Sequence, residues 1–253
     1  MQCSSVPKGS LYFELFGVPV LIRPSSWIVL ALLGGGLGIS NGTDVSNVLV
    51  FVVAGMLCLL VHEFGHALVG RYLGGGEPCI EIAGMGGVTY TPYPPQTRRG
   101  YFLMVLAGPL ASLFLGIAGG FLFGLMHLGN PLAGIVFSLY GPLGLSMPDW
   151  AAIPLYETLQ EGGISPFLGT CYITLFIICL YWSLFNLLPL FPLDGGKLLG
   201  TLLNNFKIAS YVGIVLASAL CAYCLVNGMW FNAMITGYLA FINWQYLGSF
   251  RKE

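Results

Sequence analysis

The chain has 253 residues, of which 57% are hydrophobic and 8% charged, with a net charge of −1. Soluble domains carry about 25% charged residues, so this composition excludes a water-covered monomer and makes the bilayer part of the solvent. The near-zero charge gives no electrostatic footprint for nucleic acid.

In chain order, Met1 to Ser10 is polar, and Leu11 to Ile22 is interrupted by Glu14, Gly17 and Pro19 with no small-residue cleavage site, so no removable leader is expected. A spanning helix needs about 20 mostly apolar residues. Six segments qualify: about 20–39, with Arg23 snorkelling from its end, then 47–70, 101–126, 168–188, 208–227 and 229–247. Between the second and third, Ile80, Ile82, Val88 and Tyr90 alternate around Gly84, Gly86 and Gly87. That pattern suggests a short hairpin, with a plain loop as the alternative. Segment 131–147 is apolar but broken by Pro131, Pro142 and several glycines, and reads as surface-lying or re-entrant.

Charge chooses between six spans and seven. With six spans and the N-terminus inside, all nine Lys and Arg fall on the cytoplasmic side, while the loop over 127–167 has acids but no Lys or Arg. The predicted fold class is an all-α membrane protein with about six transmembrane helices and a small membrane-associated β-hairpin after the second. It forms one polytopic domain over 1–253, with both termini cytoplasmic and the cell membrane as its expected location. The cysteines at 58, 171, 179, 221 and 224 fall in apolar segments and read as small hydrophobes, including the Cys221-x-x-Cys224 pair.

The second span contains His62-Glu63-Phe64-Gly65-His66. On a helix, His62 and His66 share a face, can ligate one zinc ion, and leave Glu63 beside them as a general base. Ionisable groups cost about 2.5–3.5 kcal/mol each at the centre of a membrane helix, so three on one turn need a functional reason. His62 precedes Arg71 by nine residues, which places it roughly 14 Å from the inner interface. A catalytic zinc takes a third protein ligand. His127 lies at the wrong depth, and Glu77 and Glu81 read as solvated loop residues. Asp194 follows the helix-breaking Pro189 and Pro192 and precedes Gly195 and Gly196, which allow a tight turn. The spans carrying His62 and Asp194 run in the same direction, so their polar clusters share a depth. A helix-capping role is the alternative for Asp194.

Together these motifs resemble the site-2 protease family of intramembrane zinc metalloproteases, in a compact form without PDZ or CBS domains. The match rests on His62-Glu63-x-x-His66 and on Asn186…Pro189…Leu193-Asp194-Gly195. Ala107-Gly108-Pro109 and the Gly17-Val-Pro-Val-Leu-Ile lead-in add to it. Ser112 departs from the asparagine common at its position in the third-span motif. The resemblance implies Zn2+ held by His62, His66 and Asp194, water activation by Glu63, and a substrate carbonyl or oxyanion held by Asn186; by sequence alone, Asn186 is equally a helix-end amide. It implies hydrolysis within or near a transmembrane segment of a membrane-protein substrate, in what is known as regulated intramembrane proteolysis. Any control falls to a regulatory membrane partner or to substrate processing. The hairpin edge at Gly86 and Gly87 is the expected place for an unwound substrate to pair. A metal permease and a catalytically silent scaffold are the alternatives; the clustering of ligands at one depth and the intact Glu63 argue against them.

Overall fold

The structure is a computed structural model and describes residues 7–84 and 86–249. Its elements in order are strands β1 (Leu11–Leu15) and β2 (Val18–Ile22), helices α1 (Pro24–Leu33) and α2 (Gly42–Tyr72), strands β3 (Cys79–Ala83) and β4 (Gly86–Tyr90), and helices α3 (Arg98–Phe123), α4 (Pro131–Leu143), α5 (Asp149–Gln160), α6 (Pro166–Asn186), α7 (Asp194–Leu203), α8 (Phe206–Val226) and α9 (Trp230–Ser249). The predominantly helical class with a small sheet stands as expected.

Among the described residues, four helices are long and apolar enough to cross a membrane: α2, α3 with the π-helical turn Gly124–Leu128, α6 and α8. These match four of the expected spans. α2 starts five residues earlier than expected because Asn41 and Asp44 form a reciprocal capping box at its N-terminus. Segment 229–247 also forms a helix, α9, twenty residues long, but it is not one of these four apolar helices. The expected helix over 20–39 is not formed. Pro19 and Pro24 and the β-branched Val18, Val20 and Ile22 make its first part a strand, and α1 ends at Gly34 after ten residues. Arg23, expected to snorkel, instead pairs with Glu81 on β3. Segment 131–147 contains only the thirteen-residue α4, and α5 follows as a separate helix.

The expected hairpin is β3–β4, and it belongs to a larger sheet of order β1-β2-β3-β4. β2 pairs parallel to β3, with Val20 opposite Ile80 and Ile22 opposite Ile82, and the two outer pairs are antiparallel. Val18, Val20, Ile22, Ile80 and Ile82 are fully buried and pack with Leu59, Phe64 and Ala67 of α2. The sheet therefore lies along the half of α2 that carries the histidines, and β4 forms its edge. α2 and α3 cross closely at Gly65, where a Cβ would stand 2.4 Å from the Ala107 carbonyl oxygen.

Candidate metal centre and active site

His62 and His66 lie one turn apart on α2, with ring centroids 4.8 Å apart and planes nearly perpendicular. Asp194 is the first residue of α7 and is 3% exposed, and both of its carboxylate oxygens face side chains of the site. His62 Nε2 and His66 Nε2 each lie 3.1 Å from Asp194 Oδ2 and 3.2 Å from each other. Among the described residues this is the group of His, Cys and acidic side chains able to hold a metal.

The donor chemistry tests whether zinc fits. His66 Nδ1 lies 2.9 Å from the Met104 carbonyl oxygen, which only accepts, so Nδ1 holds the ring proton. In the neutral ring, Nε2 then presents a bare lone pair towards Asp194 and His62. One proton cannot bridge three such atoms, whereas a divalent ion can. A tetrahedral zinc with bonds of about 2.0–2.1 Å has donor–donor edges of about 3.3–3.4 Å. The observed triangle of 3.1, 3.1 and 3.2 Å is close to one face of that tetrahedron. The residues fit one zinc ion and leave a position open. Ser112 Oγ lies 3.4 Å from His62 Nδ1 and 2.8 Å from Ser183 Oγ, so a serine pair stands behind that ring.

Glu63 is 4% exposed, and its Oε2 accepts a hydrogen bond of 2.7 Å from Thr89 Oγ1 on β4. Gly87 touches the same side chain: a Cβ there would stand 2.4 Å from Glu63 Cγ, while one at Gly86 would meet nothing within 4 Å. Both glycines line the site cavity, of about 900 Å³, together with the metal group and Asn186. Gly87 thus leaves room for the Glu63 side chain, a contact the sequence did not disclose. Asn186 closes α6 and donates from Nδ2 to the Trp182 carbonyl oxygen at 3.0 Å. One face of α9, including Ile235, Tyr238 and Ile242, forms the apolar wall of the cavity.

Gly108 lets α3 pass over the site, since a Cβ there would lie 2.2 Å from His66 Nε2. Gly195 and Gly196 have no left-handed φ, so they do not make the tight turn expected of them. They are required because a Cβ at Gly195 would stand 2.2 Å from the Leu187 and Leu188 carbonyl oxygens, and one at Gly196 2.7 Å from the Leu190 carbonyl carbon. Asn243, fully buried on α9, donates from Nδ2 to the Phe191 oxygen at 2.8 Å and accepts from the Phe191 N–H at 3.0 Å. It holds the loop that delivers Asp194.

Glu81, expected in a solvated loop, is buried on β3. Glu77 is exposed, 3.8 Å from Arg71, and His127 packs against Phe123 and Tyr172 away from the metal group. Lys197, not singled out from the sequence, donates to Asp194 Oδ1 at 2.9 Å. Burial opposes its charge, but the Asp194 carboxylate beside it outweighs that and raises its pKa. Its spacing of three residues from Asp194 on one helix was the available signal.

A family model described as Peptidase M50B-like matches residues 45–157, which include His62, Glu63 and His66. The site-2 protease resemblance is borne out. A zinc metalloprotease of Methanocaldococcus jannaschii is 24% identical over 222 residues, covering 85% of this chain and 53% of the relative. The relative sll0528 of Synechocystis sp., also named as a zinc metalloprotease, is 27% identical over 245 residues, covering 94% of this chain and 54% of the relative. The chain spans about half the length of the curated relatives it matches. In fold it resembles the solved site-2 protease from Methanocaldococcus jannaschii, with a TM-score of 0.57 and 22% identity over 94% of this chain and 95% of that one. With four apolar membrane-length helices as well, the chain is an integral membrane protein.

Proposed function

We propose that this chain is a zinc metalloprotease that cuts a peptide bond within or near a transmembrane segment of a membrane-protein substrate. The observation that carries the reading is the near-equilateral donor triangle of His62, His66 and Asp194, with Glu63 beside it and both facing one cavity. His62, His66 and Asp194 hold the zinc, which when bound supplies Lewis acidity towards a carbonyl and a lowered pKa for water. Glu63 takes the proton of the attacking water on Oε1, while Thr89 holds Oε2 in place, and returns it to the leaving amine. Asn186 steadies the substrate carbonyl or its oxyanion from the end of α6.

A helical substrate has its backbone bonds occupied and must be unwound before it can be cut. The edge strand β4 supports pairing with the extended segment along Gly86 and Gly87, beside Glu63. For topology, we read β2 and α1 as one composite crossing. Five extended and ten helical residues placed end to end reach about 31 Å, close to the ~30 Å core. β1 and β3 satisfy the strand backbone there, as a bilayer demands. On this reading the chain makes six passes with both termini cytoplasmic, in the cell membrane, and cleavage falls in the inner half of the substrate span because His62 lies roughly 14 Å from the inner interface.

The test is a pair of variants of the purified chain, assayed against single-span substrates in liposomes. Glu63→Gln keeps one zinc per chain and loses about 100- to 10,000-fold in turnover. Asp194→Asn loses the metal. Full turnover in Glu63→Gln, or zinc content unchanged by Asp194→Asn, refutes the assignment.

A further inference from the structure

Asp194 divides its two carboxylate oxygens between different partners. Oδ2 faces both histidine Nε2 atoms at 3.1 Å, whereas Oδ1 accepts from Lys197 Nζ at 2.9 Å. Asp194 and Lys197 lie three residues apart on α7, so the helix itself sets their pairing. The first turn of that helix has little room to shift, because the 187–191 backbone is packed against Gly195 and Gly196. The Lys197 side chain is 39% exposed and lines the cavity, so filling the core does not explain its place.

Resting on the zinc reading above, we infer that Lys197 is a positioning residue that holds Asp194 to one-oxygen ligation and keeps the remaining metal position open for substrate. A carboxylate binds a metal through one oxygen or through both. With two histidines and one carboxylate oxygen, a four-coordinate site retains one position for reaction. A carboxylate that swings in its second oxygen occupies the space beside that position. The ammonium on Oδ1 opposes this swing, because a charge-assisted hydrogen bond would have to break before Oδ1 turned to the metal. Arginine at this position offers the same kind of donor; an apolar side chain does not.

The experiment uses the full chain in detergent, with zinc exchanged for cobalt as a visible-absorption probe. Wild type and Lys197→Arg are expected to show the intense bands of four-coordinate cobalt. Lys197→Met, which keeps the apolar stem and removes the donor, is expected to lose them for the weak bands of five-coordination, with one cobalt still bound per chain. Its kcat on the zinc form falls about 10- to 100-fold with KM little changed, the usual size for loss of a partner that orients a metal ligand. A merely structural lysine would lower the folded fraction and leave the spectrum per bound cobalt unchanged. A four-coordinate spectrum in Lys197→Met therefore overturns the inference, even if turnover falls. Lys197→Ala is read in the same way if the methionine variant does not fold. Failure of wild type to bind cobalt, or binding that persists in Asp194→Asn, overturns the zinc site itself and is thereby distinguished.

Discussion

Gly87→Ala is the sharpest test of how the sheet and the catalytic helix work together. The added Cβ would lie 2.4 Å from Glu63 Cγ and 2.5 Å from Oε1, where ordinary contact begins at 3.4 Å. Something must move by about 1 Å to reach normal carbon contact distances. The Glu63 side chain will move, because its end is the flexible partner, whereas β4 is tied to β3 along its length. Alanine meets no backbone obstacle, since Gly87 does not hold a left-handed φ. The carboxylate then loses its 2.7 Å bond from Thr89 and its alignment with the metal group. Misplacing a reacting group by about 1 Å costs about 100-fold in rate. Turnover of a liposome-embedded substrate by Gly87→Ala should fall by that order with zinc content unchanged, while Gly86→Ala, whose Cβ enters open space, should match wild type. Wild-type turnover in Gly87→Ala would refute the idea that β4 seats the base; equal losses in both variants would show that the effect is not local to Glu63.

Further expectations concern the strand edge, the metal and the loop before Asp194. Gly86→Pro should raise KM for a transmembrane substrate where Gly86→Ala does not, and unchanged cleavage in the proline variant would dismiss strand addition. Gly108→Ala should lose bound zinc, measured by elemental analysis, because the His66 ring cannot turn away without giving up its bond to the Met104 carbonyl. Asn243→Leu leaves the N–H and C=O of Phe191 unpaired at a cost of about 1–3 kcal/mol each, read by chemical denaturation in detergent. An unchanged midpoint there would remove Asn243 from the support of the Asp194 loop.

The metal trio was legible for two separate reasons. Spacing alone puts His62 and His66 on one face of a helix, and shared depth alone brings Asp194 to them. The place of Glu63 in the site was legible from its position between the histidines, but the contacts that hold its side chain were not. Thr89 and Gly87 reach Glu63 across a turn of chain whose direction local pattern does not fix. The continuous helix expected over 20–39 was misread for a different reason. Val18 to Ile22 is buried except for Pro19, so it reads as a continuous apolar run, and periodicity cannot separate a buried strand from a helix in so short a stretch. Pro19 and Pro24 were the signals against a helix there, and the parallel pairing of β2 with β3 links residues about 60 positions apart, which no local window sees.

The glycines around Asp194 show how a motif can be found while its mechanism is misjudged. Two glycines after an aspartate suggest a turn, yet both stand in ordinary helical geometry at the start of α7. What requires them is close approach, because the 187–191 backbone passes where their side chains would be. That contact brings the end of α6, with Asn186, directly beside the start of α7, with Asp194. The glycines therefore set the separation between the proposed carbonyl-holding amide and the metal ligand. Gly195→Ala is expected to damage both at once, lowering zinc content and turnover together, and loss of either alone would show that the two ends are positioned independently.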